Sequence, residues 1–434
     1  MLYAVLKFIW SYVVRKYFAE IHIKNAEEIP YNKPVLLLPN HRSAFMDPIV
    51  VATQLNRTAN FLTRGESFEK PIMVKIFKQL NMIPIYRKEH NPEKVNQNED
   101  IFRHCHQLMK ENGCLIIFPE GICQTKYTLA PLKTGAARIA LEAEAKNNFK
   151  LDIHVIPIGI NYSNPHRFRG RLTLNIGKSL RPKDYKDEFE KDYWAAISHL
   201  TADVENNLKE LIVTVDDQHK MKLVEHIETF MESSDVSDDW HNQRKRLVEQ
   251  INSFKENDAV GFDKFNHTMS SYMWALQKLK LGTSSFKRSS HKGLQRYPIL
   301  HFILLVFGFP IFIIGFLLHF LPFVFTQQIA LRVVKRVDFM GSVLLALGLL
   351  MFAIFCVLET WIVWKLSGNG WATIIFFFLW PSLGLFAYSY LSSVGQWLGN
   401  INWRFLGKKR KGLQTALKQT KIELNQTIVT IINS

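Results

Sequence analysis

The sequence predicts an α/β domain built on a mixed, largely parallel sheet flanked by helices, then a helical region and C-terminal transmembrane helices. Three observations predict it. Between residues 34 and 180, short apolar runs ended by Pro, Asn or Gly alternate with stretches of helical spacing, the signature of a layered α/β architecture. Residues 181–296 are polar and rich in Lys and Glu, while Phe, Trp and Leu crowd into residues 297–397.

Residues 1–19, MLYAVLKFIWSYVVRKYFA, are apolar but interrupted by Lys7, Arg15 and Lys16. They lack a small-residue cleavage site and an uninterrupted run of the roughly 20 apolar residues that a span needs. Residues 1–30 are expected to form an amphipathic, membrane-associating helix; packing of that helix on the following domain is the alternative. Residues 31–180 are expected to make the α/β domain, with strands at 34–39, 60–64, 82–86, 113–118, 154–161 and 171–176 and helices at 48–55, 67–80, 93–112 and 131–146. Residues 181–296 read as a helical appendage, with helical spacing over 193–213 and 219–255 and no legible chemistry.

The membrane region, 297–397, holds three apolar stretches: 297–325, re-entrant or spanning, and spans at 339–362 and 371–394. Basic clusters lie at Lys287/Arg288/Lys292/Arg296, Arg332/Lys335/Arg336 and Arg404/Lys408/Lys409/Arg410/Lys411. The positive-inside rule puts all three in the cytoplasm. That requires 297–325 to enter and return as a hairpin kinked at Pro310, with 339–394 as a two-pass hairpin. Residues 398–434 are then a basic cytoplasmic tail.

A formal net charge of +16 calls for an anionic partner. Beside hydrophobic spans the partner is anionic membrane lipid, and nucleic acid is not expected. The four cysteines, Cys105, Cys114, Cys123 and Cys356, show no paired spacing, which suggests a reducing compartment. His104-Cys105-His106 resembles a fragment of a metal site but has no second ligand cluster, so no metal is expected.

The chemistry begins at Pro39-Asn40-His41-Arg42-Ser43-Ala44-Phe45-Met46-Asp47-Pro48, directly after the run Val35–Leu38. A histidine at a strand end, with an aspartate six residues on, fits a general base and its orienting acid. No serine or cysteine nucleophile stands beside it, so the hydroxyl would belong to the substrate. Taken alone, the pair also fits a loop histidine and an aspartate capping a helix from Pro48. Downstream stand Ile83-Pro84-Ile85-Tyr86-Arg87, Leu115-Ile116-Ile117-Phe118-Pro119-Glu120-Gly121 and Val155-Ile156-Pro157-Ile158-Gly159. His41, Arg87 and Glu120 each sit at or just after the C-terminal end of an expected strand, where sites gather in open α/β sheets.

In this order the four blocks resemble those of the glycerophospholipid acyltransferases, over roughly residues 34–180. The spacing of five residues between His41 and Asp47 is closest to fungal-type glycerol-3-phosphate/dihydroxyacetone-phosphate acyltransferases and their bacterial relatives; four is commoner in the family. The resemblance implies the glycerolipid acyltransferase fold, with His41 as base and Asp47 as its orienter. It implies Arg87 on the acceptor's phosphate and Glu120 and Gly121 in the substrate-binding loop. An arginine often follows that glycine by two residues; here Cys123 stands there, and Lys126 or Lys133 is the substitute cation. Lys133 precedes Thr134-Gly135-Ala136-Ala137, a helix start whose N–H groups suit an anion. Pro157 belongs to the fourth block without a chemical role, and His166-Arg167-Phe168-Arg169-Gly170-Arg171 makes a basic turn suited to phosphates or headgroups.

The expected function is a membrane-bound O-acyltransferase without cofactor, in phospholipid biosynthesis. It would move a fatty acyl group from acyl-CoA or acyl carrier protein to glycerol 3-phosphate or 1-acylglycerol 3-phosphate. Alternatives are a lysophospholipid acyltransferase of remodelling and a non-catalytic lipid-binding membrane protein that keeps the fold. The catalytic domain is expected on the cytoplasmic face, of the inner membrane in a bacterium or the endoplasmic reticulum in a eukaryote.

Overall fold

A computed structural model of the chain describes residues 2–87, 91–165, 168–215, 217–231, 240–281 and 298–433. Two compact units emerge: Met1–Thr214 together with Arg332–Leu345, and Val215–Leu331 together with Ala346–Ser434.

The first unit opens with helix α1 (Leu2–Tyr17) and strand β1 (Glu20–Lys24). Strand β2 (Val35–Pro39), helix α2 (Met46–Gln54), strand β3 (Asn60–Arg64), helix α3 (Pro71–Gln79) and strand β4 (Met82–Ile85) follow. Helix α4 (Asn98–Lys110), strand β5 (Cys114–Ile116), helix α5 (Gly135–Lys146) and strands β6 (His154–Tyr162) and β7 (Arg171–Ile176) complete the sheet. Helices α6 (Lys186–Lys191) and α7 (Tyr193–Leu211) close the unit. The seven strands lie in the order β1-β7-β6-β2-β5-β3-β4. Every pairing is parallel except β6 with β7, so the expected mixed, largely parallel sheet is present.

The apolar runs are continuous because both faces of the sheet are covered. In β2, Val35 and Leu37 point into a core shared with Val14 and Phe18 after and within the α1 region and with Met46 and Val50 of α2. Leu36 and Leu38 point the other way, against Met109 of α4, Ile139 and Leu141 of α5 and Leu200 of α7. β2 is therefore buried on every residue. Helix α1 packs on the domain: Lys7 donates to the carbonyls of Leu55 at 2.6 Å and Arg57 at 2.8 Å. Its outer face leaves Val5, Phe8 and Tyr12 exposed, and the inner face is packed as the alternative expectation had it.

In the second unit, α8 (Gln218–Met231), α9 (Trp240–Asn257) and α10 (Ala259–Lys278) form the helical part. Three helices long and apolar enough to cross a membrane follow: α11 (Pro298–Val333), α12 (Met340–Ser367, whose first turn belongs to the first unit) and α13 (Gly370–Lys409). The hairpin expected at 297–325 does not form. Pro310 and Pro322 lie inside one uninterrupted helix. A proline removes one backbone hydrogen bond, a loss that neighbouring helices make tolerable in an apolar setting. Here Gly315 lets α11 approach the backbone of α13, where an added Cβ would stand 2.4 Å from the Leu383 carbonyl oxygen. The region expected as a basic tail holds helix α14 (Lys411–Asn433), which buries Leu417, Leu424, Ile428 and Ile431. The basic cluster at 287–296 lies outside the described residues.

Candidate active site

The C-terminal ends of β2, β4 and β5 carry the site. Asn40 ends β2 and is pinned to β6: its side chain accepts from the Ile160 N–H at 2.6 Å and donates to the Ile160 carbonyl at 3.3 Å. His41 follows, and its Nδ1 lies 2.8 Å from Oδ2 of Asp47. Asp47 is fully buried, while 17% of the His41 side chain remains exposed.

Four hydrogen bonds hold the Asp47 carboxylate. Oδ2 accepts from His41 Nδ1 and from the backbone N–H groups of Arg42 and Ser43, both at 2.7 Å. Oδ1 accepts from the Tyr162 hydroxyl at 2.8 Å. A carboxylate on Nδ1 requires that nitrogen to carry the proton, which leaves Nε2 as the acceptor. The turn between the two residues is where five intervening positions are accommodated: Ala44 adopts φ +28°, a conformation that side chains rarely adopt.

Glu120 is 3% exposed and links two loops. One carboxylate oxygen accepts from the His41 backbone N–H at 2.7 Å and the other from the Ala130 N–H at 2.9 Å. Burial raises its pKa, an effect that these two donors oppose. Its role is to tie the β5 loop to the base. Phe118 lays its ring 4.2 Å from the His41 imidazole, and so walls one side of the pair.

Arg87, just past β4, donates from Nη1 to the Gly121 carbonyl at 2.8 Å, and its Nη2 lies 3.9 Å from Glu66. Its Nε and Nη2 are buried without a hydrogen bond. Gly121 sits at φ +66°, where a side chain is strained, with the Lys133 side chain 3.5 Å from the place of an added Cβ. Lys133 donates its backbone N–H to Pro119 at 2.8 Å. The six residues singled out in the sequence thus fall into one linked set of loops: His41–Asp47, His41–Glu120, Arg87–Gly121 and Gly121–Lys133. His166 and Arg167 of the basic turn lie outside the described residues.

Cys123 occupies the position where a cation was sought. Its Sγ accepts from the Ala44 N–H at 3.0 Å. Burial and the neighbouring Asp47 push its pKa well up, so the thiol stays protonated. His41, Asp47 and Cys123 present ligand atoms within 4.8 Å of one another. Metal ligation would nonetheless need a thiolate and would displace donors from Asp47, so the donor set fits proton transfer and not a cation.

Two contributors escaped the sequence. Tyr162, at the end of β6, holds Asp47 from the side opposite the histidine; burial and Asp47 raise its pKa well above the phenol range, which keeps it a donor. Arg42 contributes its backbone N–H to Asp47, while its side chain donates to the Val213 carbonyl at 2.9 Å with the guanidinium 4.4 Å from the Tyr127 ring. The position of Tyr162, five residues after Pro157 on the same strand, was the available signal.

Residues 20–161 match the family model described as Acyltransferase. The chain is 30% identical over 140 residues to glycerol-3-phosphate O-acyltransferase 1 of Saccharomyces cerevisiae, covering 31% of this chain and 18% of the relative. It is 24% identical over 151 residues to a chloroplastic 1-acyl-sn-glycerol-3-phosphate acyltransferase of Arabidopsis thaliana, covering 35% and 38%. The match therefore spans less than half the length of either relative. The crystal structure of the 1-acyl-sn-glycerophosphate acyltransferase of Thermotoga maritima matches at 19% identity and a TM-score of 0.35, over 48% of this chain and 77% of that one. The similarity to acyltransferases thus lies in residues 20–161, about a third of the chain.

Proposed function

We propose that the protein is a membrane-bound O-acyltransferase that moves a fatty acyl group from the thioester of acyl-CoA or acyl carrier protein to a hydroxyl of glycerol 3-phosphate or 1-acylglycerol 3-phosphate. The observation that carries this reading is the bond from His41 Nδ1 to the buried, fully engaged Asp47. It leaves Nε2 to take the proton from the acceptor hydroxyl as the oxygen attacks the thioester carbonyl. Asp47 stabilises the resulting imidazolium, which returns the proton to the departing thiolate. The acyl group passes directly between substrates, so no covalent acyl-enzyme is required.

Arg87 supports the phosphate end of the acceptor. Two of its guanidinium nitrogens are buried without hydrogen-bond partners, and a planar fork of donors suits phosphate oxygens. Lys133, beside Gly121, is the second cation at that end. The resemblance to the yeast enzyme favours glycerol 3-phosphate as the acceptor. The basic residues Arg332, Lys335 and Arg336 support a cytoplasmic face.

The test is transfer of labelled acyl groups by membranes that carry the wild type or His41→Ala, with each acceptor and each donor. The expected result is transfer to glycerol 3-phosphate that falls by about 10²–10⁴ in the variant. Transfer that persists unchanged in His41→Ala removes His41 as the base. Absence of wild-type transfer to either acceptor overturns the reading.

A further inference from the structure

The segment that joins the candidate spans α11 and α12 folds with the catalytic unit, far outside the matched domain. Ser342, in the first turn of α12, is 3% exposed. Its hydroxyl donates to the Ser43 carbonyl at 2.8 Å and accepts from the Met46 N–H at 2.9 Å. Met46 shares that N–H with the Ser43 carbonyl at 2.8 Å. One hydroxyl therefore bridges both ends of the strained turn that separates His41 from Asp47. Neighbouring residues reach the other loop of the site: Arg336 donates to the Cys123 carbonyl at 3.2 Å and is itself paired with Asp338 at 2.7 Å. Phe339 sets its ring edge-on to Phe45 with 5.8 Å between centroids.

A serine so early in a helix ordinarily serves that helix's own N–H groups. Ser342 serves a turn whose residues precede it by about 300 positions. Ser43 already gives its carbonyl to the N–H groups of Met46 and Asp47, at 2.8 and 3.3 Å. An additional O–H donor there, paired with an acceptor at Met46, fixes the plane of the Ser43–Ala44 peptide. That peptide follows directly on the Ser43 N–H that binds Asp47 Oδ2.

We infer that Ser342 is a positioning residue for acyl transfer: its hydroxyl clamps the Ser43–Met46 turn, so that Asp47 stays on His41 only while the start of α12 is docked. This rests on the acyltransfer reading above, and its test separates the two. The full-length chain in detergent is assayed as wild type, Ser342→Ala, Ser342→Thr and Val337→Ala, Val337 being an exposed neighbour outside the site. Misplacement of the pair is expected to lower kcat of Ser342→Ala about ten- to a hundredfold, with the acceptor KM unchanged, since Arg87 is untouched. Ser342→Thr keeps the hydroxyl and is expected to retain kcat; Val337→Ala is expected to behave as wild type. An unchanged kcat in Ser342→Ala overturns the inference.

A second readout needs no activity. The rate at which diethyl pyrocarbonate modifies His41, followed by peptide mass spectrometry, is expected to rise several-fold in Ser342→Ala and not in Val337→Ala. Should the wild type transfer to no acceptor, the acyltransfer reading falls, and this rate alone decides the clamp. Equal rates in Ser342→Ala and wild type overturn it.

Discussion

Tyr162 illustrates how far the His41–Asp47 pair depends on a residue outside the four motif blocks. Its hydroxyl is the sole partner found for Asp47 Oδ1 among the described residues, and it holds the carboxylate in the plane that His41 needs. Tyr162→Phe deletes one hydrogen bond to a charged, buried group and keeps the ring packed beside Phe18. Such a bond is worth about 1.5–3 kcal/mol, so the melting temperature of the solubilised chain is expected to fall. Transfer should drop less than in His41→Ala, because three donors still hold Oδ2. An unchanged melting temperature would show that the Tyr162 bond adds nothing. Cys123 shows the opposite case: it stands where the family often has a cation, and serves instead as an acceptor for the Ala44 N–H and a contact for the 336–338 segment. A position can thus keep its place in the loop while it changes its chemistry.

Among the elements, α4 carries a titration that the fold must tolerate. His106 is buried beside Lys146, whose Nζ lies 3.1 Å from its Nδ1. Burial first, then that positive charge, lower its pKa to about 4. Unfolded, the imidazole takes up its proton near pH 6.5. Stability is therefore complete above that value and declines as pH falls towards 4, by about 1–2 kcal/mol after solvent screening. Melting curves should record that decline for the wild type and a flatter profile for His106→Gln; parallel profiles would count against it.

The elements also show what periodicity reveals. Strands β2, β5 and β6 were legible because burial on both faces makes them unbroken apolar runs. His41 and Arg87 were legible as neighbours because parallel strands deliver their C-terminal ends to one place, and Asp47 through its spacing from His41. β1 was missed: five residues with a single stretch of alternation, GluIleHisIleLys, give too little signal after a long helix. α14 was read as a charged tail because its lysines mask an apolar stripe at Leu417, Leu424, Ile428 and Ile431. The 332–345 segment was invisible as part of the site for another reason. Its partners lie about 300 residues away, and no local pattern encodes a contact of that separation.

For the whole molecule, the packing of Arg332–Leu345 with Met1–Thr214 constrains how the chain meets a bilayer. Whatever course α11 takes, the stretch after it must lie on the same face as the His41 pair. Its 36 residues extend about 54 Å, well beyond the roughly 30 Å hydrocarbon core, so it accommodates by tilt or by lying partly outside the core. Cysteines introduced at Lys335 and at Lys126 are expected to react with a membrane-impermeant thiol reagent from the same side in sealed vesicles. Labelling from opposite sides would mean that the segment and the catalytic unit do not pack in the membrane-bound protein. The net charge of +16 fits a surface held against anionic headgroups.

The Met46–Ser342 bond joins residues 296 positions apart, and this has a consequence for biogenesis. The first 214 residues leave the ribosome as a nearly complete folding unit well before Ser342 has been translated. Ser342 lies 128 residues beyond Thr214, so at about 5–20 residues per second the wait is roughly 6–26 s. Throughout that interval the turn at Ala44 lacks its bridge, so the nascent chain carries a formed sheet and an unfastened catalytic pair. Completion of the turn is then timed by delivery of α12 and not by collapse of the domain, so diethyl pyrocarbonate is expected to modify His41 faster in a ribosome-bound chain that ends before residue 342 than in the finished chain.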